Sequence, residues 1–274
     1  MPNDKDGLGG HEIEVSQKAA IGSTTTQIAV QYVGMTPEQA AKQTINLFME
    51  NFPKLQEEAR KIANERADEL CKKVLSDLAT KGINNLTAFS EPDVQYVILE
   101  AQKKYARFGN QGLLDSLSEL ISSRIQNDDK TYYTRIIDKA LLAACELSEN
   151  QLDCLSALFI LTRVRFNRIH SIDDLENHYQ YLIKVFNLEG IQFRKYVSYL
   201  NCLNCLDLTL PDVIETISRS YQLPVDEVKR VTPHCISQFT GDYGVSDIGI
   251  LLAIVNAEKK TAFKFNPFIW IPEN

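Results

Sequence analysis

From residue 36 onward, apolar residues recur at steps of three and four, the period of one face of an α-helix. The run Thr36-Pro37-Glu38-Gln39 predicts a helix start. Thr36 caps, Pro37 occupies the first turn, and Gln39 closes a capping box. This helix carries Ala40, Ala41, Thr44, Ile45, Leu47 and Phe48. Pro53 is expected to open a second, longer helix to about Thr80, with an apolar stripe of Leu55, Ala59, Ile62, Ala63, Leu70, Val74 and Leu78. The acid-first pairs Glu57/Lys61, Asp68/Lys72 and Glu69/Lys73 support it at i,i+4. Such a helix spans about 42 Å, which is long for a globular protein and suggests a coiled-coil-like arm.

Gly82 ends the arm. Ser90-Glu91-Pro92-Asp93 starts the next helix, whose apolar face is Val94, Val97, Ile98, Ala101, Tyr105 and Phe108, with Gly109 as its stop. Further helices are expected at about 111–126, 129–147, 149–167, 171–187, 193–206, 211–221 and 224–231. Ser148, Ser171 and Pro211-Asp212 mark three of their starts. Ser246 caps a last helix through Lys260, and the tail 263–271 is expected to be extended and packed on the body.

Ahead of the arm the period shifts from helical to alternating. Residues 11–15 alternate polar and apolar, and after Gly22-Ser23 the run 24–33 does so again, with Ile28, Val30 and Tyr32 on one face. Thr24, Thr25 and Thr26 are β-branched and favour extended backbone. One or two strands are expected here, and residues 1–10 are expected to be disordered. The fold class is therefore mainly α. An irregular multi-helix body, 88–274, follows a long N-terminal helical arm that is preceded by one or two short β-strands, together 11–82. Residues 84–87 are the expected linker.

Charge and composition narrow the partners. Lys plus Arg number 29 against 36 Asp plus Glu, a net charge of −7 over 274 residues. A polyanion needs a basic surface, so nucleic acid is not an expected partner. No apolar run reaches the roughly 18 residues of a membrane span, and the first residues lack the apolar core of a secretory signal. A cytoplasmic protein with six reduced, mostly buried cysteines is the expectation.

Candidate chemistry is sparse. Cys202-Leu-Asn-Cys205 is a single C-x-x-C, whereas tetrahedral zinc needs four N or S ligands and a redox pair needs a strand before its helix. It reads as two buried thiols on a helix. Pro211-Asp212 with Glu227-Val228-Lys229 matches the string of a metal-dependent nuclease. That chemistry requires adjacent strands to share a cation, and both segments read as helices. Of the four histidines, His11, His170, His178 and His234, none forms a Ser–His–Asp order, and no phosphate loop or dinucleotide fingerprint appears. Arg163, Arg165, Arg168 and His170 form a basic knot, with Lys103, Lys104 and Arg107 a lesser one. Both read as cations near helix ends. No cofactor, metal or catalytic residue is assigned.

The segments 48–55 (FMENFPKL), 90–96 (SEPDVQY), 101–109 (AQKKYARFG) and 151–153 (QLD), with 247–249 (DIG) and 268–271 (FIWI), resemble an uncharacterised bacterial protein family known by locus-tag names. The resemblance covers most of the chain from about residue 22. It implies a bacterial cytoplasmic protein and brings no established activity. The strand segment is also similar to N-terminal strands of some bacterial conflict and phage-defence proteins.

One or two strands cannot make a stable sheet alone, and their unpaired backbone is a template for another strand. The expectation is a non-enzymatic helical interaction or scaffold protein. It would self-associate as a homo-oligomer through Ile28, Val30 and Tyr32 and through Leu55, Ile62 and Leu70 of the arm. A protein partner is allowed for; a membrane is not. A sensor or regulator of an anti-phage system, and a hydrolase whose site is assembled from distant helices, are the alternatives.

Overall fold

The computed structural model describes residues 36–83, 87–127, 130–207, 212–239 and 243–273. Among them are eleven α-helices and one two-stranded sheet, a mainly α fold. The expected strands at 11–33, the disordered start and Asn84, Asn85 and Leu86 of the expected linker lie outside the described residues.

The long helix is present, and it is longer than expected. α1 runs unbroken over Pro37–Thr80, with Pro53 inside it, in place of two helices meeting at that proline. An interior proline costs a helix about 3 kcal/mol. Here Ala, Glu, Lys, Leu and Gln flank it on both sides with no glycine, and a helix of 44 residues absorbs the loss of one backbone bond. The start is as read: Gln39 N–H donates to Thr36 Oγ1, and Thr36 N–H donates to Gln39 Oε1. The chain divides into two compact units at Glu57/Glu58, within α1. The first unit is described from residue 36 and contributes the first turns of α1.

The second unit, residues 58–274, holds the rest of α1 and a body of ten helices among the described residues: α2 (Pro92–Phe108), α3 (Gln111–Gln126), α4 (Tyr132–Ala144), α5 (Glu149–Arg163), α6 (Ile172–Val185), α7 (Arg194–Cys202), α8 (Val213–Tyr221), α9 (Val225–Val231), α10 (His234–Ser237) and α11 (Asp247–Lys260). The last turns of α1 belong to this core: Leu70, Val74 and Leu78 are buried in it.

Capping residues fix where these helices begin. Ser148 and Ser171 form reciprocal capping boxes with Gln151 and Asp174. Asp212 and Ser246 accept the N–H of Ile214 and Gly249. Asn110 and Thr131 cap α3 and α4 in the same manner. Several ends fall short of the apolar pattern. α5 stops at Arg163, where Val164 turns extended. α7 stops at Cys202, where Asn204 enters the left-handed region at φ 55° and Cys205 N–H reaches back to the Leu200 carbonyl.

The centre of the body is the pair α5 and α11. Residues 152–161 of α5 and 248–254 of α11 are buried all round, so neither helix has a solvent face over that stretch. Contacts of Glu149 with Lys260 and of Ser156 with the Ala253 carbonyl show that the two run antiparallel. α4 and α3 pack on α11, and α8 packs on α5.

Not everything after residue 34 is helical. β1 (Leu206–Asp207) pairs antiparallel with β2 (Gly244–Val245), in the register Leu206 to Val245 and Asp207 to Gly244. Two-residue strands carry no period to read. This ladder sits against the start of α11, where Gly249 lies so close to the Cys205 carbonyl oxygen that a Cβ would collide with it and would also stand 2.7 Å from Val245 Cγ1. The tail is packed as expected, with Ile271 buried and the Trp270 indole N–H donating to the Arg163 carbonyl, but Pro267–Ile269 is a 3₁₀ turn instead of extended chain.

A helix-interior glycine replaced by alanine ordinarily gains up to about 1 kcal/mol. Gly249→Ala is expected to do the opposite and lose about 1–3 kcal/mol through overpacking against the ladder, read as a lower urea midpoint at unchanged slope.

Candidate functional site

The residues expected to mediate association separate into three groups. Ile28, Val30 and Tyr32 lie outside the described residues. Leu55 and Ile62 on α1 are 52% and 47% exposed, whereas Leu70 is 2% exposed and its side chain is spent in the chain's own core. Around Leu55 the helix shows more apolar surface than the stripe read from sequence. Ile45, Phe48, Met49 and Phe52 are all exposed, and the Phe48 and Phe52 rings lie 5.5 Å apart, one turn from each other. Pro53, read as a boundary, had hidden the continuity of Phe52 with Leu55.

A second feature is a charged cleft of about 280 Å³ in the body, between the last turns of α1, α3, α11 and the tail. Its acids are Asp77, Asp115, Glu119 and Glu258. Lys73 Nζ donates to Asp77 at 2.8 Å and lies 3.8 Å from Asp115, which Lys259 approaches at 3.7 Å. Lys81 meets Glu119 at 2.6 Å, and Lys264 meets Glu258 at 2.9 Å. Ser118 Oγ also donates to Asp77. Burial works against the Asp77 charge, yet the hydrogen bonds from Lys73 and Ser118 hold its carboxyl below the usual range. A general acid needs the reverse, a carboxyl pushed up towards neutrality. Among the described residues, no three His, Cys, Asp or Glu side chains converge as a metal-ligand set. The cleft draws on positions 73–77, 115–133 and 251–267, so no local motif could have flagged it. Another hollow, about 350 Å³, is lined by Phe193, Arg194, Val197, Ser198, Gln238 and Tyr243.

Two charged networks are buried. Between α5 and α11, Asp153 accepts from Lys260 Nζ at 2.8 Å and from Asn256 Nδ2 at 2.9 Å, and Asn256 also donates to Ser156 Oγ. Burial, only partly offset by Lys260 and Asn256, leaves the Asp153 carboxyl raised. Between α2, α3 and α4, the buried Arg124 guanidinium reaches Asp138 at 2.9 Å, Asp93 at 3.4 Å and the Asn127 carbonyl. Burial likewise raises Asp138. Both networks are internal ties with their polar atoms turned to each other.

The motifs read from sequence stay apart. Cys202 closes α7 and is exposed, while Cys205 lies beyond the helix and is buried, which lifts its thiol to about 12. The C-x-x-C is therefore neither a pair of buried thiols nor a pair on one helix, because α7 ends between them. Cys71 is exposed as well, while Cys145 and Cys154 are core thiols. Pro211 lies outside the described residues; Asp212 serves as a helix cap, and Glu227 and Lys229 are exposed on α9. Arg163, Arg165, Arg168 and His170 are exposed around the end of α5, with Arg168 over the Phe166 ring. Of the lesser knot, Lys103 pairs with Glu100 and Lys104 with Glu146.

Of the histidines weighed from sequence, His178 stands out in the structure. It is buried on α6 against Phe166, and its Nδ1 has no hydrogen-bond partner. Burial, with the Arg168 charge adding to it, lowers its pKa to about 4, so the ring is neutral at pH 7.

A family model with a locus-tag name, for an uncharacterised family, matches residues 34–240. No curated protein and no solved structure matches the chain. Among the described residues no helix is long and apolar enough to cross a membrane.

Breaking a buried pair leaves an uncompensated charge. Lys260→Met is expected to cost about 3–5 kcal/mol in urea unfolding at pH 7, and adding Asp153→Asn should recover most of it. For His178, the unfolded chain binds a proton between about pH 6.5 and 4 that the folded chain refuses. Stability therefore falls as pH drops through that window, by on the order of 3 kcal/mol at its foot. His178→Leu should flatten this slope relative to the native chain while holding stability at pH 7.

Proposed function

The chain belongs to that locus-tag-named family, and from this premise we propose that it is a non-enzymatic helical interaction protein that self-associates through its N-terminal strand segment and α1. One observation carries the reading: a run of large apolar side chains on α1, from Ile45 to Ile62, that the chain leaves exposed. Isolated exposed apolar residues are ordinary, but a contiguous helical row marks an interaction surface. Each such side chain gains about 1.5–3 kcal/mol on full burial. Two copies joined along α1 would bury the row. The segment with Ile28, Val30 and Tyr32 directly precedes it, and a strand pairing between copies would add backbone hydrogen bonds to the same contact. The ion-paired acids of the cleft favour a structural role there over a hydrolytic one. A bacterial cytoplasmic setting accords with the resemblance of the sequence.

Phe48→Asp with Leu55→Asp tests this in the full chain, since both side chains stand outside the core. Light scattering after size exclusion should show the native chain above single-chain mass and the double variant at it, with the helical circular dichroism of the body retained. A native chain at single-chain mass, or a double variant that stays associated, overturns the reading.

A further inference from the structure

The self-association just proposed leaves open which way the partner helix runs, and the spacing along α1 decides it. Ala41, Ile45, Phe48, Phe52, Leu55, Ala59 and Ile62 follow steps of four, three, four, three, four and three. That is a seven-residue repeat, the period of a left-handed coiled coil, with Ile45, Phe52 and Ala59 at one core position and Ala41, Phe48, Leu55 and Ile62 at the other. Every one of these residues is exposed. Pro53 and Lys54 fall on the outer face, so the proline stays clear of the seam. The repeat's next two core positions, Arg66 and Glu69, are already occupied. Arg66 donates to the Ala106 and Arg107 carbonyls at the end of α2, and Glu69 accepts the Tyr105 hydroxyl. The open seam therefore ends at Ile62.

The occupant that fits this seam is a second copy of it. The six large side chains, Ile45, Phe48, Met49, Phe52, Leu55 and Ile62, are each about half exposed or more, so they offer roughly 600 Å² per copy given the size of such side chains. Two copies reach about 1,200 Å², the lower bound for a specific interface.

Direction follows from side-chain volume. Two helices in a coiled coil keep a nearly constant separation, about 8–10 Å. In a parallel pair each residue faces its own copy, so Phe48 and Phe52 would meet Phe, and Ala41 and Ala59 would meet Ala. The separation would have to widen and narrow within three turns. In an antiparallel pair centred between Phe52 and Leu55, Phe48 faces Ala59, Phe52 faces Leu55, and Ile45 faces Ile62. Setting Ala59 against Phe48 removes the Phe-on-Phe and Ala-on-Ala layers, so the layer volumes vary less along the seam than in the parallel pair. The antiparallel arrangement also opposes the two helix dipoles. We propose that α1 pairs with α1 of a second copy as an antiparallel two-stranded coiled coil over residues 45–62, centred between Phe52 and Leu55.

The test uses the full chain with the exposed Cys71 and Cys202 changed to serine and a nitroxide on Ile45→Cys. Antiparallel pairing separates the two labels by about 17 residues of helix rise, or roughly 25 Å before allowance for the label arms. Parallel pairing brings them to about the interhelical spacing of 8–10 Å. Disulfide trapping gives a second readout. Ile45→Cys mixed with Ile62→Cys should cross-link between the two variants, and neither should cross-link alone. A dimer whose Ile45 labels are adjacent, or whose Ile45→Cys variant cross-links with itself, overturns the antiparallel assignment and leaves self-association standing. A single-chain mass with no label-to-label coupling overturns both.

Discussion

The antiparallel packing of α5 on α11 is the contact from which the rest of the body is built. Over residues 152–161 and 248–254 neither helix meets water, so each needs neighbours on every side. α3, α4, α8 and the short β1–β2 ladder supply them. An apolar interface of this kind resists sliding poorly, because one leucine fits the place of another. The buried Asp153, held by Lys260 and Asn256, has only one register in which its oxygens are satisfied. Removing its partners is costly, so the network acts as a register pin more than as a net source of stability. Gly249 sets the other end of α11 by letting the Cys205 carbonyl come close.

This body uses its apolar residues well, which makes the surface of α1 informative. Leu70, Val74 and Leu78 go into the core; Ile45, Phe48, Phe52 and Leu55 on the same helix do not. The change happens where Arg66 and Glu69 turn to α2 and close that face with polar contacts. The two phenylalanines exposed one turn apart are the surface on which the proposed self-association rests. The charged cleft points the other way. Its lysines and acids neutralise one another and bind α1, α3, α11 and the tail together.

Much of the helical content was legible because caps and periodicity agree. Ser148, Ser171 and Ser246 were correct to the residue as helix starts, since a short hydroxyl before an apolar run is a local signal. What was lost was non-local or ambiguous. Pro53 looks the same at a helix start as inside a helix, and only neighbouring propensity distinguishes them. The β1–β2 ladder joins residues nearly forty apart with two residues a side, too short for any pattern. Cys202 and Cys205 were read on one helix because the left-handed turn at Asn204 has no strong sequence mark. For the candidate site, Leu55 and Ile62 were legible from their spacing. Leu70, further along the same stripe, was not separable from them, since its burial depends on the tertiary fold. Asp153, the one charged residue in the run 152–161, was a usable signal for the buried network.

The proposed self-association requires that the exposed row of α1 be covered by another copy in solution. Sedimentation equilibrium of the native full-length chain at micromolar concentration measures this without any substitution. The expected mass is at least twice that of the 31.0 kDa chain, falling towards one chain on dilution. A mass of one chain at every concentration would contradict it.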